Sequence, residues 1–177
     1  YPVFEIIFLD DCSNDHSVKV ARDILEAQSI DYKVIVNKEN SGSVFSQWKR
    51  GVEQARGTHV WIAEADDSCS PAFLTEVVNG FEDPEVVLSY CESKQIDEDG
   101  QVLANNYLPY VADIDAKRWL TPFINGGREE VAEALSIKNT IPNVSGVVFE
   151  RSRLNSILDD NIDLIRAYRV AGDWLVY

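Results

Sequence analysis

Short apolar runs that end in polar or acidic residues, alternating with segments of helical spacing, restrict this chain to an α/β architecture. The first run is Phe4 to Leu9 (FEIIFL), closed by Asp10-Asp11. The second is Tyr32 to Val36 (YKVIV), and the third is Thr58 to Ala63 (THVWIA), closed by Glu64-Ala65-Asp66-Asp67. Continuous apolar runs of this length read as buried strands. Between them, Ser17 to Ser29 sets Val18, Ala21, Ile24 and Leu25 on one helical face, with Ser13 and Asp15 as N-cap candidates. Val44 to Ala55 also has helical spacing, and Gly57 is the expected C-cap. Pro71 to Phe81 reads as a helix with proline in its first turn, and Val86 to Tyr90 as a fourth strand. This order predicts βαβ units and a mostly parallel sheet flanked by helices. In such sheets ligands sit outside the carboxyl ends of the strands, where both acidic clusters fall.

The second half is less regular. A strand is expected around Ser93 to Ile96, followed by a turn at Asp97-Glu98-Asp99-Gly100. Residues 104–115 read as loop. Trp119 to Ile124 and Glu129 to Ile137 read as helices broken at Gly126-Gly127. Gly146 to Phe149 is a late strand and Ser152 to Leu158 a short helix. The 177 residues fit one domain, with 1–100 as a donor-side half and 101–177 as a second half. The chain opens straight into a strand, closes on what reads as a helix just begun and contains no Met, so it is read as part of a longer polypeptide, truncated at both ends.

Charge narrows the partners. Sixteen basic against 30 acidic residues give a formal net charge of -14, the opposite of a nucleic-acid footprint. An acidic surface also repels phosphate ligands unless a divalent cation bridges the two, which directs attention to the acid clusters. No apolar run approaches the roughly 20 residues a membrane span needs. Cys12, Cys69 and Cys91 show no metal-ligand spacing and read as buried small hydrophobes in a reduced, cytosolic protein.

Glu64 and Asp66, two positions apart at a strand exit, can point toward one hard cation, and oxygen ligands suit magnesium or manganese. The alternative is a solvated acidic turn. Asp10-Asp11 is a second acid pair at a strand exit, able to accept hydrogen bonds from a base or a ribose, or else to cap the turn-rich segment after it. Gly42 lets the backbone approach a ligand just before a helix starts. Asp173, between Gly172 and Trp174 at an expected helix start, suits a base or a plain N-cap. His16 and His59 have no ligand spacing, and Trp48, Trp61 and Trp119 read as core. Neither a P-loop nor a G-x-G-x-x-G motif is present.

The order of these pieces is more specific than any one of them. FEIIFLDDCSND, NKENSG, ARGTHVWIAEADDSCSPAFL, YCESKQIDEDGQV and AGDW together resemble the family-2 glycosyltransferases with the GT-A fold. The resemblance implies a metal-dependent, inverting transfer of a sugar from a nucleotide-diphospho-sugar to a glycan or lipid-linked acceptor, with Mg2+ or Mn2+. Residue by residue, Asp11 matches the acid that contacts the nucleoside base, with Asp10 beside it. Glu64-Ala65-Asp66 matches the D-x-D motif, with Asp66 as principal metal ligand and Glu64 facing ribose or metal. Asp173 matches the general base.

The departures from the family pattern are the missing opening strand, Glu64 in place of Asp, and Gly172-Asp173 in place of Glu-Asp. Tyr107, Tyr110, Trp119 and Phe123 fall where the family varies its acceptor contacts. IKNTIPNVSGVVFERS is similar to bacterial surface-polysaccharide enzymes, which implies a cytoplasmic protein held at the inner face of the membrane through segments outside this chain. Two rival readings are a non-catalytic sugar-binding module of the same fold and a phosphoacceptor receiver domain. The receiver has no place for Glu64-Ala65-Asp66-Asp67.

Overall fold

A computed structural model describes residues 5–168 and 171–177. Phe4, expected to open the first strand, lies outside the described residues. Strand β1 (Glu5–Asp10) pairs in parallel with β2 (Asp31–Val36), and α1 (Ser17–Glu26) connects them as a βαβ unit. Helix α2 (Val44–Gln54) leads to β3 (His59–Trp61), and α3 (Phe73–Val78) leads through a 3-10 turn to β4 (Leu88–Tyr90). The α/β alternation is as the sequence predicts.

The sheet is not mostly parallel, and the reason is topological. Strand β7 (Val147–Glu150) lies between β3 and β4 and runs antiparallel to both. Tyr90, the last residue of β4, pairs with Val147, the first of β7. The Cys91 N–H also donates to the Gly146 carbonyl at 3.1 Å. The chain therefore leaves and re-enters the sheet at the same edge, and a strand entering there has to run backwards. Side-chain alternation puts Val147 and Phe149 on one face of the sheet and Val148 on the other, all at 3% exposure or less. The first face packs on Phe45, Trp48 and Val52 of α2 and on Leu154, Leu158 and Ile165 of α6 (Arg151–Ala167). The second packs on Phe73 and Val77 of α3. The donor-side and second halves thus share one sheet.

Several local expectations change. Residue His16 holds the N-cap position of α1, while Asp15 accepts the Ser17 N–H at 2.8 Å and Ser13 turns back to Asp10. Ala55, in extended conformation, ends α2 in place of Gly57. Helix α3 starts at Phe73, two residues after Pro71. Residues 104–115 hold the end of a short strand pair, β5 (Gln95–Ile96) with β6 (Val102–Ala104), and one helical turn, α4 (Leu108–Val111).

The helix expected over residues 119–124 shrinks to a 3-10 turn, Arg118–Leu120, because the Arg118 guanidinium stacks on Trp119 and Phe123 and pairs with Glu130. The next helix divides into α5 (Gly127–Glu130) and a π-helical turn over Val131–Leu135. Helix α6 extends well beyond Leu158. Asp159, just past the expected end, is on the exposed side and pairs with Lys49. Cys12 and Cys69 are exposed and Cys91 half-buried, so the expectation of three buried thiols fails: the first two lie on the irregular segments that follow β1 and β3, at the surface.

Candidate active site

Helix α2 positions three parts of the site. Gln47 reaches Asp11, Trp48 faces Glu64, and Phe45 packs against Gly172. Apolar residues on the inner side of α2 (Phe45, Trp48, Val52) dock it on the sheet, so its amino end is fixed over the strand exits.

Asp10 is only 3% exposed, and its carboxylate accepts the Ser13 N–H at 3.0 Å. It holds its own turn, beside Asp11 at the strand exit. Asp11 organises the next loop. Its Oδ1 accepts from the side chains of Asn37 and Gln47 and from the Ser41 N–H at 2.9 Å, and its Oδ2 accepts from the Ser41 hydroxyl at 2.7 Å. Partial burial pushes this carboxyl up, but the Ser41 and Asn37 hydrogen bonds outweigh it and hold Asp11 below the ordinary Asp range. Gly42 has φ +67, a left-handed conformation that glycine adopts without strain, and donates to Asn40 Oδ1 at 2.8 Å. The turn itself thus accounts for this glycine.

Glu64, Asp66 and Asp67 each bring a carboxylate oxygen within 4.8 Å of the others. Asp66 and Asp67 are exposed, Glu64 is half-buried, and Ala65 is exposed. The backbone here is tied to the returning strand: the Glu64 N–H donates to Ser145 Oγ at 3.0 Å and the Trp61 indole to the Ser145 carbonyl at 2.8 Å. Burial raises Glu64 above the ordinary Glu range, and the charges of Asp66, Asp67 and Asp173 add to the rise. The Trp48 indole N–H, buried with no partner at full hydrogen-bond geometry, faces Glu64 as a donor and opposes the rise.

Asp173 sits in the first turn of a 3-10 segment, Gly172–Leu175, close enough for its charge to act on Glu64. A residue from near the end of the sequence is thereby brought to the acid cluster that follows β3. Asn139 donates to Asp173 Oδ2 at 3.3 Å, and the Tyr177 hydroxyl lies buried and unpartnered beside the same acids. Burial, then the Asp173 charge, raises the Tyr177 phenol well above its ordinary value. Sequence reading missed Asn139, Ser145, Trp48 and Tyr177 as site neighbours. Their contacts depend on the late strand's return, which no local pattern announces.

Among the described helices none is long and apolar enough to cross a membrane. In comparison with known proteins, the family described as Glycosyl transferase family 2 matches residues 1–139, a stretch that holds both acid clusters and Asn139 and stops short of Asp173. No curated protein matches the chain.

Proposed function

The chain belongs to glycosyl transferase family 2, with an α/β GT-A fold, and from that premise we propose that it moves a sugar from a nucleotide-diphospho-sugar to an acceptor hydroxyl with inversion, in a reaction that depends on a divalent metal. Sugar transfer as such follows from the family. The finer reading is supported by one observation: Asp173, from the far end of the sequence, lies within electrostatic reach of the Glu64, Asp66 and Asp67 group.

The donor set fits magnesium or manganese. It is all oxygen, two of its acids are open to solvent, and the raised Glu64 is a carboxyl short of counter-charge. In this reading Asp66 and Glu64 hold the ion, with Asp67 as a third candidate. A cation there supplies positive charge opposite the leaving diphosphate. Asp173 accepts the proton of the acceptor hydroxyl as its oxygen bonds to the anomeric carbon and the bond to the diphosphate breaks. Attack from the opposite face through an oxocarbenium-like state inverts the centre in one displacement.

Of the four donors to Asp11, three fall on Oδ1 and one on Oδ2, so Oδ2 is the oxygen with a lone pair for a nucleoside donor. Tyr107, Tyr110, Trp119 and Phe123 belong to the acceptor side. The reading extends to hexosyl transfer in bacterial polysaccharide synthesis at the cytoplasmic face, on the similarity of residues 137–152 noted above.

The test is calorimetry with UDP, GDP and dTDP, each with manganese and with a chelator. Manganese-dependent binding of one of them is expected, and equal binding in both conditions overturns the metal role. NMR of the product then reads the anomeric configuration, and retention overturns the single displacement.

A further inference from the structure

We propose that Asn139 is a positioning residue that holds the Asp173 carboxylate in the orientation a general base needs; the inference rests on the assignment of Asp173 as that base. Asn139 Nδ2 donates to Asp173 Oδ2 at 3.3 Å, and Asn139 Oδ1 accepts the Ile141 N–H at 3.3 Å. The two contacts settle which end of the amide points where. A backbone N–H only donates and a carboxylate only accepts, so a flipped amide would lose both bonds. Thr140 and Ile141, which follow, are each 3% exposed, so the amide stands on a packed turn.

Asp173 needs such a partner. It stands on a four-residue turn whose N-cap position, Ala171, adopts φ 56 and offers no side-chain cap. That turn does not fix a carboxylate by itself, and the nearby Glu64 charge repels it. The segment that carries Asn139 also anchors the neighbouring residue, since the Trp174 indole N–H donates to the Leu135 carbonyl at 2.8 Å. Leu135 is buried in the main core. Residues 135–139 thus grip the turn at two points, while the Tyr177 hydroxyl lies beside the same carboxylate. Small misplacements of a reacting group cost rate steeply, on the order of 100-fold for about 1 Å.

The test is a double-mutant cycle in the full-length protein, read as nucleotide release from UDP-glucose, GDP-mannose and dTDP-glucose with manganese and water as acceptor. Asn139→Ala should lower kcat about 10- to 100-fold and leave the donor KM within about 2-fold. In an Asp173→Asn background the same change should alter kcat little, because the two residues act as a unit. Asn139→Asp keeps an acceptor for the Ile141 N–H, and with it the turn, but loses the donor; it should lose at least as much kcat. A folded Asn139→Asp protein with normal kcat overturns the proposal. Equal losses in both backgrounds overturn Asn139 while leaving Asp173 as base. Normal turnover of Asp173→Asn alone overturns the base and the inference with it. The contact is also read without any donor: the Asn139 side-chain amide resonances should shift in NMR on Asp173→Asn, and unmoved resonances count against the proposal.

Discussion

Gly172 lies against the ring of Phe45 so closely that a Cβ at this position would stand 2.3 Å from Phe45 Cζ. Phe45 is 7% exposed and packed in the main core. The resembling family places an acid here, before the base. In this chain the helix α2 aromatic has taken that space, and only glycine fits. Gly172→Ala should therefore cost about 1–3 kcal/mol through overpacking, and it should shift the turn that carries Asp173. Thermal unfolding should show a lower Tm, and turnover should fall with it; an unchanged Tm would show that Phe45 swings aside.

Asp66→Asn tests the acid cluster. Asp66 is exposed, so the substitution should leave Tm within about 2 °C, the scale of an ordinary surface change. Manganese-dependent nucleotide binding should disappear in calorimetry. Binding at the original strength would pass the ligand role to Asp67, which shares the cluster.

Asp11 should show its hydrogen bonds as a pH dependence. Its folded-state value is depressed, so its contribution is fully present above the unfolded Asp value of about 3.9 and is lost as pH falls through the lower folded value. Urea unfolding should find Asp11→Asn less stable than the parent at pH 7, with the gap closing below about pH 4. A gap that persists unchanged at pH 3 would mean that charge is not what holds Asn37, Ser41 and Gln47 in place.

Asp173→Asn keeps the shape of the side chain and removes the proton acceptor. A general base contributes roughly 100- to 10,000-fold, so kcat should fall by that order while nucleotide affinity, read in calorimetry, changes little. Near-normal turnover would remove Asp173 from the chemistry.

The first half of the chain was legible because each element there depends on its own residues. The run EIIFLD, the inner-face residues Phe45, Trp48 and Val52, and the exit Glu64-Ala65-Asp66-Asp67 each carry a local signature. In the second half the strands near 93–96 and 146–149 were legible too, but much of the rest was not, because its conformation is set from a distance. Trp119 donates to the Tyr90 hydroxyl and lies under Arg118, so a segment with helical spacing stays a turn. Leu154, Leu158 and Ile165 continue one buried stripe past Asp159-Asp160-Asn161, which read locally as an ending. The acids at the site were visible as types and spacings. Their meeting with Asp173 and Asn139 was not, since it requires the direction of β7, and an antiparallel return leaves no mark in the residues of the strand itself.

That return has a consequence for how such a chain can diversify. The Cys91 N–H and the Gly146 carbonyl clasp the two ends of the intervening excursion at one sheet edge. Everything between them is, to the sheet, a single loop, and the entropy of closing a loop rises only slowly with its length. The exposed turns of this excursion can be lengthened or shortened while β3, β4 and β7 keep their register, provided that Leu135, Ile141 and Val144 stay in the core, Ser145 still meets Glu64 and Asn139 still meets Asp173. That excursion is therefore the part of this molecule most open to replacement, a cassette whose hinges are two backbone atoms.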